Sequence, residues 1–217
     1  MDKNKLMIKT MSKFLILKLL FLLTLMSSFT LHSQVILPLD SIGFMPSPTP
    51  VKYYSDVNNE MDFFVGTWLY TEGSTTLKIH FKKETRVDWG DHFTDLLVGE
   101  YQYIENGVEM INTLDMIDSR NGYEHIIDGR IRVTKCSWLP TSECRDGQVK
   151  FFLGLSDPNN EMTTATLIIH ESYRDINDRR DAIRAYIIFT SHQTLDPGET
   201  YDPPTMPWQK EYRMVRQ

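Results

Sequence analysis

The chain has 217 residues, 23 basic against 29 acidic, a net charge of −6 at pH 7, and 41% apolar with 12% aromatic residues. This is ordinary globular composition, and a surface with excess acid repels nucleic acid and anionic headgroups, so neither is an expected partner. No run of like charge is long enough to form an acidic tail.

Residues 1–34 read as a signal peptide. Lys3, Lys5, Lys9 and Lys13 make a positive start, residues 14–25 are apolar apart from Lys18 and Thr24, and Ser27-Ser28 opens a small, polar stretch suited to cleavage. The apolar core falls short of the roughly 17–25 residues that span a bilayer, so no transmembrane segment is expected after cleavage. Met11 as the start would leave a signal of the usual compact shape, and no Cys near the cleavage region supports a lipid anchor. Losing five Lys and one Asp with the signal leaves 18 basic against 28 acidic residues, a net charge of −10. The protein is therefore expected to be exported, periplasmic or secreted.

Residues 35–54 lack periodicity and hold Pro38, Pro46, Pro48 and Pro50, which suggests an extended linker. Residues 55–217 suit one domain, with no internal repeat. Residues 56–64 look like a helical turn capped by Asn58, with Met61 and Phe64 on one face.

From Gly66-Thr67-Trp68 onwards the period shifts towards two. Leu77, Ile79 and Phe81 alternate with polar neighbours, and Asn106-Gly107 between residues 101–105 and 108–111 favours a type I′ hairpin. Asn121-Gly122, Asp128-Gly129, Asp146-Gly147 and Asp157-Pro158-Asn159-Asn160 are further turn signals. Between them, residues 130–135, 149–155, 164–170, 182–190 and 211–216 read as strands. About nine strands joined by short connections predict an all-β fold, an antiparallel up-and-down barrel; a two-sheet sandwich would read much the same. Two connections are longer: residues 86–94, with Trp89-Gly90-Asp91-His92, and residues 193–207, which could gate a barrel mouth.

The two cysteines, Cys136 and Cys144, stand eight residues apart at a hairpin tip. In an exported chain this even pair reads as a disulfide, contributing about 2–3 kcal/mol on the chain-entropy model. His80, His92, His125, His170 and His192 show no zinc spacing, and neither Cys has a ligand neighbour, so no metal or cofactor is expected. Gly-x-Ser-x-Gly, phosphate-cradling glycine loops and His-Glu-x-x-His are absent, and the chain is not expected to be an enzyme. Asp175, Asp178 and Asp181, interrupted by Arg179 and Arg180, suit a charged hairpin tip better than a calcium loop. Trp68, beside Gly66, can plug one barrel end with Arg213 or Arg216 over its indole, a contact of roughly 0.5–2 kcal/mol. If the barrel holds a cavity, Tyr70, Tyr101, Tyr103, Phe151 and Tyr186 are the aromatic lining candidates.

The segment from Asn58 to Tyr70, with its turn, Phe64 and Gly66-Thr67-Trp68, resembles the first-strand Gly-x-Trp segment of lipocalins and related calycin barrels. Tyr212-Arg213-Met214-Val215-Arg216 is similar to their last strand, whose arginine packs on that tryptophan. Leu97-Val98-Gly99-Glu100-Tyr101, Ile111-Asn112-Thr113-Leu114, the two cysteines and Phe152-Leu153-Gly154-Leu155-Ser156-Asp157-Pro158 resemble an uncharacterised family of exported proteins from Bacteroidetes-type bacteria, a likeness that brings no activity. The resulting expectation is a lipocalin-like protein that binds a small apolar or amphipathic ligand non-covalently in its barrel. The first alternative is a filled barrel serving as a protein-interaction or inhibitor module, with an apolar patch near Trp138-Leu139-Pro140 or Trp208. The second is an enzyme whose polar groups converge in a cavity.

Overall fold

The alternating runs pair in chain order, as short hairpins between antiparallel neighbours require. The structure, a computed structural model, describes residues 13, 16–18, 34–41, 51–136, 144–171, 181–191 and 204–217. Residues 1–34 are a separate unit, in which residues 13 and 16–18 are helical. The second unit carries eleven strands among the described residues: β1 (Val35–Pro38), β2 (Lys52–Ser55), β3 (Gly66–Glu72), β4 (Thr75–Asp88), β5 (His92–Glu105), β6 (Val108–Asn112), β7 (Ile127–Val133), β8 (Lys150–Asp157), β9 (Asn160–Glu171), β10 (Ala182–Ser191) and β11 (Glu211–Arg216).

Eight of them, β3, β4, β5, β7, β8, β9, β10 and β11, close into an antiparallel barrel. β3 meets β11 through Leu69 opposite Val215 and Trp68 opposite Arg216. The Asn106-Gly107 hairpin forms as expected, both residues at positive φ (51° and 82°), and sends β6 back along β5. β5 is the spine of the domain. One of its edges pairs with β4, and the other meets β2, β7 and β6 in succession.

The expected linker needs correcting at both ends: Val35–Pro38 and Lys52–Ser55 are strands, β1 lying parallel on β2 and β2 parallel on β5. Pro46, Pro48 and Pro50 lie outside the described residues. The long loop expected over residues 86–94 is short. β4 and β5 run on past the barrel as a ribbon whose tip is residues 89–91.

Both barrel ends are covered. At one end, residues 56–64 form successive tight turns rather than a helix, with three-residue backbone bonds from Asn59 to Asp56, Asp62 to Asn59 and Phe64 to Met61. Asn59 sits in the left-handed region (φ 55°), which breaks helical continuity. The cap is Asp56, not Asn58: its carboxylate accepts the N–H groups of Glu60 and Met61 at 2.9 Å each and pairs with Lys83 at 2.9 Å. Met61 and Phe64 point inwards, and Phe64 meets Phe151 edge-on at 5.6 Å.

At the other end, residues 204–210 cross the mouth. Asp157 accepts Thr205 N–H at 2.7 Å and Thr205 Oγ1 at 3.1 Å, and Met206 is buried. Between the two ends the core is filled by Trp68, Leu77, Phe81, Leu97, Tyr101, Leu153, Ile169, Ile187 and Met214, among others. The space left under the strap, between Tyr101, Leu155, Ala165, Met206 and Trp208, is about 10 Å³.

Candidate functional site

β5 is buried on both faces from Thr94 to Tyr101. Its inner face joins the barrel core, and residues 113–126 cover its outer face with two 3-10 turns, Leu114–Asp118 and Gly122–Glu124. Glu100, wholly buried, holds this cover down. Its carboxylate accepts Arg120 Nη1 at 3.1 Å from each oxygen and lies 3.0 Å from His125 Nδ1. Glu84 completes the anchor, accepting Gly122 N–H at 2.7 Å and lying 3.4 Å from His125 Nε2. Such a network is satisfied on every side, so its work is to fix the 113–126 segment in place.

A second buried carboxylate fixes the root of the β4–β5 ribbon. Asp95 accepts Tyr53 Oη at 2.5 Å, Ser55 Oγ at 3.0 Å, Asp56 N–H at 2.9 Å and Arg86 N–H at 3.0 Å. Burial and that bond to Asp95 raise the Tyr53 phenol above its ordinary value. The ladder slips between Glu84 and Val87, and Arg86 sits there at φ 57°, its guanidinium 4.7 Å from the Phe93 ring. A bulge held this way re-aims the ribbon beyond it.

These two anchors bring together a surface cluster. Trp89 is 47% exposed, the one large aromatic so exposed among the described residues. Tyr123, carried by the cover segment, abuts the indole at 3.8 Å, nearly perpendicular. His92 stacks beside it at 6.0 Å, and the Arg130 guanidinium of β7 lies over it at 4.9 Å. Arg130 Nη1 donates to His92 Nε2 at 2.6 Å, and His92 Nδ1 donates to Asp91 Oδ1 at 2.5 Å. Because a guanidinium only donates, this contact makes Nε2 the acceptor and places the imidazole proton on Nδ1. Tyr123 Oη is buried without a hydrogen-bond partner, and burial raises its phenol well above the usual range.

Near Tyr123, burial pushes the Asp128 carboxyl up to about 6. A raised carboxyl works against the usual direction. The fold favours its neutral form, so ionisation above pH 6 destabilises the fold, and this penalty fades as pH falls from about 6 towards the unfolded value of about 3.9. Asp128→Asn is therefore expected to raise stability at pH 7.5 by about 1–2 kcal/mol, after discounting for partial exposure, and to give no gain at pH 4. Thermal melts of both proteins at the two pH values check this; an equal gain at both would refute it.

The residues expected from the sequence distribute as follows. Cys136 and Cys144 are bonded. Gly66, Trp68 and Arg216 meet at the plugged barrel end: Trp68 Nε1 donates to Phe64 O at 2.6 Å, and Arg216 lies 4.2 Å from the indole centre while donating to the Phe63 and Val65 carbonyls. Gly66, at φ +114°, holds a backbone conformation that strains any side chain, and a Cβ there would stand a tight 3.1 Å from Arg216 Nη1. Arg213 stands opposite Arg184 on the ladder, on the other face from the inward Tyr212 and Met214, so strand parity leaves Arg216 over Trp68.

Tyr101, Tyr103 and Phe151 lie in the packed interior. Tyr70 is half-buried at the mouth, edge-on to Tyr212 at 4.9 Å and under Lys210 at 5.1 Å. Tyr186 faces outwards, because its neighbours Ala185 and Ile187 take the core face. Trp208 is half-buried against the core, and Trp138-Leu139-Pro140, Asp175, Asp178 and His192 lie outside the described residues. Asp181 accepts Arg216 Nε at 3.3 Å.

A cleft of about 250 Å³ also opens beside Leu39, Asp40, Asp56, Glu60 and Arg132, but its charges are matched: Arg132 donates twice to Glu60, and Asp56 pairs with Lys83. Among the described residues no three His, Cys, Asp or Glu converge on a metal position, and no helix is long and apolar enough to cross a membrane. The Trp89-Gly90-Asp91-His92 run is visible in the sequence as an unusual connection. Tyr123 and Arg130, which complete the cluster, carry no local signal.

Residues 11–207 match a family described as a family of unknown function (DUF6705). No curated protein and no solved structure matches the chain.

Proposed function

We propose, for a chain that belongs to this family of unknown function, that it is an exported β-barrel protein that binds a protein partner through the surface around Trp89. The observation that carries the reading is an exposed indole held rigidly by Tyr123, His92 and Arg130 on a barrel whose own centre is packed. Trp, Tyr and Arg dominate the residues on which binding energy concentrates, and an anchor already fixed in position loses little entropy on docking. Export is supported by the Cys136–Cys144 bond, of a kind that persists in oxidising compartments, and by the apolar N-terminal stretch. The reading is of a binder, not an enzyme. His125, the histidine set between two carboxylates, is occupied in anchoring the 113–126 cover.

The described core is packed, with about 10 Å³ between Tyr101, Leu155, Ala165, Met206 and Trp208, which weighs against a small apolar ligand inside the barrel, the sequence's first expectation. Native mass spectrometry of the protein purified after export separates the two readings. Under the interaction reading the barrel carries no small adduct. Trp89→Ala, with unchanged melting temperature, reduces co-purification of a specific envelope protein at least about tenfold, as loss of a central aromatic anchor does. A discrete adduct lost on denaturation would return the assignment to an interior ligand. Equal capture by wild type and Trp89→Ala would remove the surface from consideration.

A further inference from the structure

We infer that the partner presents a carboxylate to Arg130, beside an apolar side chain that packs on Trp89; this inference rests on the interaction reading above. Arg120, Arg132, Arg184 and Arg216 each pair with a carboxylate, in a chain with 29 acidic residues against 23 basic. Arg130 does not: among the described residues its polar partner is the unprotonated nitrogen of His92. Asp91 reaches it only through the imidazole. The charge is thus held in one place by His92 and the Trp89 indole, with no carboxylate on it among the described residues.

A planar guanidinium presented this way matches a carboxylate through two parallel hydrogen bonds, a fit that an ammonium lacks. Tyr123 packs against the indole of the same cluster and fixes its position. Trp89 offers the apolar surface next to them. A guanidinium with no carboxylate partner among the described residues, on a protein of net negative charge, suits a single carboxylate on an acidic protein segment, and disfavours a polyanion, which the surrounding acid repels.

The test uses two blocked dipeptides, acetyl-Glu-Phe-amide and acetyl-Gln-Phe-amide, titrated into the full exported protein at low salt. The Trp89 indole N–H and Arg130 Nε–H resonances are followed by NMR. The Glu peptide is expected to shift both resonances and to bind about tenfold more tightly than the Gln peptide, with the difference shrinking as salt rises. Arg130→Gln is expected to remove the preference at unchanged melting temperature, and Arg130→Lys to keep only part of it. Equal responses to the two peptides, no response to either, or an undiminished preference in Arg130→Gln would overturn the inference. So would inorganic phosphate moving the same resonances more strongly than the Glu peptide. The interaction reading is judged separately by the Trp89→Ala capture, so a failure here with that capture lost leaves the surface in place and discards only the carboxylate.

Discussion

Trp68→Ala is expected to lower the unfolding free energy by about 3–5 kcal/mol, read as a fall in urea midpoint at unchanged slope. The indole is wholly buried, and three things rest on it. Its N–H satisfies the Phe64 carbonyl at 2.6 Å, its face carries the Arg216 guanidinium at 4.2 Å, and Phe63 packs beside it at 5.9 Å. Arg216 in turn ties the Phe63 and Val65 carbonyls to the last strand. Removing the ring empties the space under the plug and leaves a buried carbonyl without a donor. Trp68→Phe keeps most of the volume and loses the N–H, so its cost is expected at about 1–3 kcal/mol. A Trp68→Ala protein within about 1 kcal/mol of wild type would mean that the plug does not depend on this side chain.

Asp95→Ala is expected to cost about 2–4 kcal/mol, and to do so unevenly across the molecule. Its carboxylate serves Tyr53, Ser55, Asp56 and Arg86 together, so truncation strands the Asp56 and Arg86 amides and lets β2 part from β5. Arg86, in the left-handed region, keeps that strained backbone only while its N–H is held. Hydrogen exchange should therefore accelerate in β1, β2 and the β4–β5 ribbon while β8, β9 and β10 retain their protection. Uniform acceleration over the barrel, or none, would contradict the anchoring role assigned to Asp95.

The barrel was legible where strands bury one face. Leu77, Ile79 and Phe81 alternate with polar neighbours because the outer face meets water, and Ile183, Ala185 and Ile187 share the core face of β10. The first half of β5 was illegible for the opposite reason: residues 94–101 are buried on both faces, and Asp95 and Glu100 interrupt any apolar run. β1 and β2 are four residues each, and they are strands because the free edge of β5 takes β2 and β2 in turn takes β1. At residues 56–64 the inward Met61 and Phe64 were legible, but the tight turns were read as a helical turn capped by Asn58, because nothing local shows that the Asp56 carboxylate turns back onto Glu60 and Met61. Of the candidate surface, the sequence showed the tip itself. It could not show that Tyr123 and Arg130, 34 and 41 positions after Trp89, fold back onto it.

The seam between β3 and β11 sets an order of assembly. Leu69 and Val215 lie 146 positions apart, yet this pair, its neighbour Trp68–Arg216 and the Gln217 N–H to Thr67 O bond make the joint. Strands β3 to β10 can pair with their neighbours as they emerge from a ribosome or a translocation channel. The sheet they form keeps two bare edges until residue 216 is delivered. Closure this non-local is slow, and bare edges pair readily with other chains. The interval between delivery of β10 and docking of β11 is thus when the nascent protein is most prone to aggregate, and slowing elongation or transport there would lengthen that exposure without altering the finished molecule.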